Sequence, residues 1–153
     1  MRYTTFRRRC HMNTADLYKL AKDENIDIKR MKLKDLNGFY LESDVTATIV
    51  LDMQLKNREE KATLAEELGH HFAGTEPNSP FASDYYNTLI RSRNENKALK
   101  WCTSNLVDYE TKQTLKQAYI DLEEFADELE VPVNFANRIV EYLKNTNFEF
   151  SYI

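Results

Sequence analysis

A chain of 153 residues, 42% hydrophobic and 12% aromatic, holds enough apolar material for one core and is neither disordered nor collagen-like. A formal net charge of -4 lacks the electrostatic footprint of a general nucleic-acid binder and directs attention to a protein or small-molecule partner. The two cysteines, Cys10 and Cys102, fall in no CxxC or repeated spacing. Neither a disulfide framework nor a cysteine zinc site is expected, and a reducing cytoplasm is the expected compartment.

Residues 1–11 read as a polar basic tail. Arg7, Arg8 and Arg9 lead into Cys10-His11-Met12-Asn13-Thr14 instead of the apolar segment of a secretory signal, and no later run is long enough to span a membrane. Asn13 is a natural N-cap for an amphipathic helix from Ala15 to about Glu24, on which Leu17, Tyr18, Leu20 and Ala21 recur at helical spacing. The period then changes. Ile26-Asp27-Ile28 and Met31-Lys32-Leu33 alternate, Asn37-Gly38 reads as a turn, and Phe39-Tyr40-Leu41 resumes an extended run. Thr46 to Leu51 is rich in β-branched residues and should be the last strand of a small antiparallel sheet. That strand is a candidate edge for pairing with an extended peptide, or else simply a covered strand.

Asn57 is expected to cap the next helix, with Glu59 and Glu60 complementing the dipole in its first turn and Gly74 ending it after Ala73. At about 100° per residue, Leu64, Ala65, Leu68 and Phe72 form an apolar face, with Glu66 and His70 roughly 40° apart on its border. Two potential metal ligands at i and i+4, followed by a carboxylate at Glu67, have the spacing of a zinc-peptidase helix. A charged helix also carries such pairs as ordinary surface side chains. Gly69 costs about 1 kcal/mol inside a helix and calls for the close approach of another backbone.

The segment from Thr75 to Pro80 reads as a loop and that from Tyr86 to about Leu106 as a second long helix, on which Glu95 shares a stripe with Ala98 and Trp101-Cys102. A carboxylate there needs a cation, a donor or a metal. A metal on Glu66, His70 and Glu95 would have three protein ligands and one open position, and Glu67 would then serve as the general base of a peptide hydrolase. A third helix is expected over Thr111 to Leu129, with Leu115, Ala118, Tyr119, Leu122 and Phe125-Ala126 inward. Its far side carries Asp121, Glu123, Glu124, Asp127, Glu128 and Glu130, a solvated face or an acidic docking surface. A last helix runs from an Asn134 cap to about Lys144, and Asn145 to Ile153 form an apolar-aromatic end.

Leu64-Ala65-Glu66-Glu67-Leu68-Gly69-His70-His71, together with Asn37-Gly38-Phe39-Tyr40 and Glu95-Asn96-Lys97-Ala98 followed by Trp101, resembles the ImmA/IrrE family of metallo-endopeptidases of phages and mobile elements. The resemblance covers most of the chain from Met12 onward. By position, Glu66 stands where the family has the first histidine of its H-E-x-x-H helix, Glu67 at the base, His70 at the second histidine and Glu95 at the later glutamate ligand. It implies an α+β, mostly helical zincin-like domain, set at residues 12–110, with Zn2+ as cofactor, while the helices of 111–153 are read separately as a C-terminal helical partner-docking region. The resemblance further implies cleavage of a transcriptional repressor. A carboxylate at Glu66 is an acceptable zinc ligand whose charge weakens the ion as a Lewis acid. His71, turned roughly 140° from Glu66, is expected either in a supporting or substrate-side position or as a helix-surface histidine paired with Glu67.

Two other functions compete. The first is an anti-repressor of the same fold that sequesters its partner without cutting it. The second takes the C-terminal helices as a helix-turn-helix presenting Asn134, Asn137, Arg138 and Lys144 to DNA, which the neighbouring carboxylates disfavour. Tyr85 and Tyr86 are available as oxyanion donors.

Overall fold

The computed structural model describes residues 12–77, 80–117 and 119–146. The basic tail, Cys10, His11, Ala118 and the end beyond Thr146 lie outside the described residues. The element order is α1 (Thr14–Asp23), β1 (Ile26–Met31), β2 (Gly38–Glu42), β3 (Ala47–Asp52), α2 (Asn57–Ala73), α3 (Asp84–Leu106), α4 (Tyr109–Gln117), α5 (Leu122–Leu129) and α6 (Val133–Asn145). The protein is α+β and mostly helical, as the periodicities require.

Helix α1 opens on a reciprocal capping box: Asn13 Oδ1 accepts from the Asp16 N–H at 2.8 Å, and Asp16 Oδ2 accepts from the Asn13 N–H at 2.9 Å. Its Leu17 and Ala21 are fully buried. The Tyr18 hydroxyl donates to Glu60 of α2 at 2.6 Å, and Arg30 of β1 pairs with the same carboxylate, so one acidic group ties three elements together.

The sheet differs from the expected antiparallel one. Its order is β1-β3-β2, with β1 parallel and β2 antiparallel to β3, so it is mixed and β3 is its centre. Strand β3 therefore cannot serve as an edge for a peptide, and its consecutive buried residues Ile49, Val50 and Leu51 are those of a strand covered on both faces. Asn37-Gly38 is not a hairpin turn, because β1 and β2 are not neighbours. Gly38 starts β2, and a Cβ there would stand 2.8 Å from the Val50 carbonyl oxygen and 2.9 Å from Thr63 Cγ2, so the missing side chain lets β2 close onto β3 and α2.

Helix α2 begins after Lys56 instead of an Asn57 cap; Asn57 is its first residue, at φ 52°. Its inner face, Leu64, Ala65 and Leu68, is fully buried, while Phe72 stays partly exposed and stacks on Trp101 at 5.1 Å. Packing is also close at Gly69. A Cβ there would lie 2.7 Å from the Ala98 carbonyl oxygen and 3.0 Å from Ala98 Cα, so α2 and α3 touch backbone to backbone. Cys102 Sγ donates to the Ala65 carbonyl at 3.2 Å along the same seam.

The expected third helix is two. Asp121, placed on the acidic face from sequence, caps a new helix by accepting from the Glu123 and Glu124 N–H groups, so the chain breaks between α4 and α5. Glu130 ends α5 in the left-handed region, and α6 follows from a Pro132 cap instead of Asn134. One buried cluster joins Leu17, Ile49, Leu64 and Leu106 to Leu115, Phe125, Ile139 and Leu143, so the C-terminal helices share the core of the rest. Lys61, 2% exposed, reaches through this packing to donate to the Leu129 carbonyl.

Gly69→Ala should lower the urea midpoint and Tm, because overpacking costs about 1–3 kcal/mol and exceeds the helix-propensity gain. An unchanged or raised midpoint would contradict the contact. Burial also lowers the Lys61 pKa from the ordinary 10.5, so between its folded value and 10.5 the unfolded chain holds more protons and stability rises with pH. Unfolding free energies at about pH 8 and pH 10.5 should show wild type gaining on Lys61→Met as pH rises. A pH-independent difference would contradict that burial.

Candidate functional site

The seam at Gly69 determines what faces what. His70 follows Gly69 on α2 and Glu95 lies one turn before Ala98 on α3, so the backbone contact sets these two side chains opposite each other. His70 Nε2 stands 3.5 Å from Glu95 Oε1. Both line a cavity of about 360 Å³, with Glu67 beside them and Gly38, Phe39 and Tyr40 of β2 as the facing wall. Glu67, His70 and Glu95 thus share one cleft. Glu66 does not enter it. It lines a smaller cavity of about 200 Å³ with Asn37, Thr63, Phe135 and Arg138.

There Glu66 has a partner that no local sequence signal announces. Arg138 of α6 donates through Nη1 to Glu66 Oε1 and holds Nη2 3.9 Å from Glu95 Oε2, with its guanidinium carbon 6.0 Å from the Phe135 ring centre. Charges therefore alternate along Glu66, Arg138, Glu95 and His70. Contact with Glu95 raises the His70 pKa, and contact with His70 lowers that of Glu95, aided by Arg138 and Arg91. Glu95 is half exposed at its side chain, not sunk in the apolar stripe, and meets both an imidazole and a guanidinium.

Burial pushes the Glu67 carboxyl up to about 7; the charge of His70 opposes this, and Glu66 and Glu95 reinforce it. A carboxyl poised near neutrality is suited to accept a proton. His70 Nδ1 is buried and has no hydrogen-bond partner among the described residues.

His71 belongs to a separate relay. Its Nε2 lies 3.4 Å from Glu24 Oε2 and its Nδ1 2.7 Å from the Tyr40 hydroxyl. Hydrogen-bond logic puts the ring proton on Nε2 toward the carboxylate, so Nδ1 accepts from Tyr40. Burial, with the nearby charge of Glu42 adding to it, pushes the Tyr40 phenol up to about 12, which keeps it protonated at the cleft wall. Tyr85 and Tyr86 are exposed and do not line this cleft. Tyr40 is the tyrosine that lines it. It lay within the recognised Asn37–Tyr40 stretch, but its place at the cleft depends on β2 packing against β3 and α2.

The family model Peptidase_M78, the IrrE N-terminal-like domain, matches residues 21–140, a span that includes Glu66, Glu67, His70, Glu95 and Arg138. The chain belongs to the ImmA/IrrE family. No curated protein and no solved structure matches it. Membership in ImmA/IrrE supports a peptidase, and the zincin-like character of the family implies a metal. No helix is long and apolar enough to cross a membrane among the described residues.

The side chains of this ImmA/IrrE member meet the implied metal halfway. The 3.5 Å between His70 Nε2 and Glu95 Oε1 is close to the separation, roughly 3.4 Å, of two ligands on one tetrahedral ion. Glu66 breaks the set, since its carboxylate is engaged by Arg138 outside the cleft. Among the described residues no group of three or more His, Cys, Asp or Glu side chains is placed to hold a metal. Glu66 is paired with a permanently charged guanidinium, so it would join His70 and Glu95 as a third ligand only by sharing or releasing Arg138.

A double-mutant cycle of Glu66→Gln and Arg138→Gln should return a coupling energy of about 1 kcal/mol in urea unfolding, the scale of a partly exposed pair with good geometry. Additive effects would show that the pair does not stabilise the fold.

Proposed function

We propose that this ImmA/IrrE protein relieves repression of a phage or mobile element in the cytoplasm by binding a transcriptional repressor in the cleft between β2 and the α2–α3 pair, without cutting it. The observation that carries the absence of cutting is the pairing of Glu66 with Arg138, which leaves the family's ligand set incomplete. Binding is supported by the topology. β2 is an edge strand that walls the cleft, and an extended segment can add to such an edge through main-chain hydrogen bonds. Residues 111–153 supply further docking surface on this reading, with Asp121, Glu123 and Asp127 on an exposed acidic face.

Hydrolysis is the second reading, and one observation favours it: Glu67, His70 and Glu95 line the same cleft, with Glu67 titrating near neutrality. On that reading Zn2+ occupies Glu66, His70 and Glu95, and Glu67 is the base. Direct DNA reading has less support, since Arg138 pairs with Glu66, and Asn137 lies 3.4 Å from Glu141.

The two readings part on Glu67→Gln. The element's repressor, bound to its operator, is mixed with wild type or variant; release is followed by gel shift and repressor length by mass spectrometry. Equal release by both proteins with the repressor intact is the expected result. Fragments made by wild type and not by the variant would establish hydrolysis, and no release by either would remove the repressor as partner.

A further inference from the structure

We propose that Arg138 is the built-in cation of this site, a guanidinium delivered by α6 that neutralises Glu66 and Glu95 and excludes a divalent ion from the position the family gives to its metal. The inference rests on the preceding reading only for where that position lies.

Three carboxylates, Glu66, Glu67 and Glu95, crowd around one imidazole, and each of the three acts electrostatically on His70. Such a cluster needs positive charge. In a metallopeptidase the ion supplies it; here a side chain does. Arg138 is suited to the task because its charge does not titrate away in the working pH range and its planar fork can meet two carboxylates at once. It contacts Glu66 through one terminal nitrogen and stands 3.9 Å from Glu95 through the other.

Its position is anchored. Phe135, Ala136, Ile139 and Val140 on either side of it are buried in the common core, so α6 cannot turn Arg138 away without exposing that face. A zinc ion drawing on Glu66 would have to share that carboxylate with the guanidinium or displace it, and either brings a dication close to a fixed positive charge. The orphaned His70 Nδ1 agrees with this, since a metal-binding histidine usually donates its other ring N–H to an acceptor that orients it. Glu66 and the arginine 72 residues later thus act as one unit: the carboxylate gives the arginine a partner, and the arginine engages the carboxylate.

The test reads zinc and not the repressor, so it can fail while repressor binding stands, and the reverse. Wild type, Glu66→His, Arg138→Gln and the Glu66→His/Arg138→Gln double variant are stripped with chelator and titrated with Zn2+ against a chromophoric competitor. Circular dichroism confirms that each is folded. The double variant should bind one zinc per chain about 10- to 100-fold more tightly than wild type, the range for a charge-assisted hydrogen bond that no longer has to be given up. Glu66→His with Arg138 intact should stay near wild type. Arg138→Lys guards against a folding failure of Arg138→Gln: it keeps the charge and should keep zinc out. Stoichiometric zinc on wild type as tight as on the double variant overturns the proposal. So does a Glu66→His single variant that binds as tightly as the double, because the arginine would then exclude nothing.

Discussion

The backbone contact between Gly69 and Ala98 is the constraint from which the site follows. Because a methyl at residue 69 would strike the Ala98 carbonyl, α2 and α3 lie closer than two side-chain-bearing helices can. That proximity sets His70 against Glu95 across the seam and lets the Cys102 thiol reach the Ala65 carbonyl. Gly38 does the same on the opposite wall, drawing β2 against β3 and α2 so that Tyr40 reaches the cleft. Two of the three glycines in the chain thus position functional groups through close approach.

The second determinant is charge. Neighbouring helix positions point in different directions, so Glu66 and Glu67 part company: Glu67 enters the cleft and is pushed toward neutrality by burial, while Glu66 leaves it and is held by Arg138. The Arg138 guanidinium supplies positive charge to Glu66 and stands 3.9 Å from Glu95. The cleft holds a general-base candidate, an imidazole and a carboxylate in Glu67, His70 and Glu95.

Much of this was legible in the sequence, and the part that was not has a common cause. Helical periodicity located α1, α2, α3 and α6, and a glycine inside a helix at position 69 pointed to the backbone contact with Ala98. Of the four residues singled out for the site, Glu67, His70 and Glu95 line one cleft and Glu66 lines another. What failed depended on residues distant in the chain. The mixed sheet order could not be read from strand patterns, because alternation says which face a residue takes and not which strand lies beside it. The break at Asp121 was hidden because an acidic residue on a helix face and an acidic N-cap look alike until the backbone turns. Arg138 was read as a candidate DNA contact because its partner lies 72 residues earlier and no local period links them.

The central claim is that a guanidinium, not a metal, satisfies Glu66. An anomalous diffraction experiment at the zinc absorption edge, on crystals grown with excess zinc, tests it most directly. The account predicts Arg138 on the Glu66 carboxylate and no anomalous peak within bonding distance of that carboxylate. A peak coordinated together by Glu66, His70 and Glu95, with Arg138 displaced into solvent, would contradict it and return the protein to the metal-dependent hydrolases of its family.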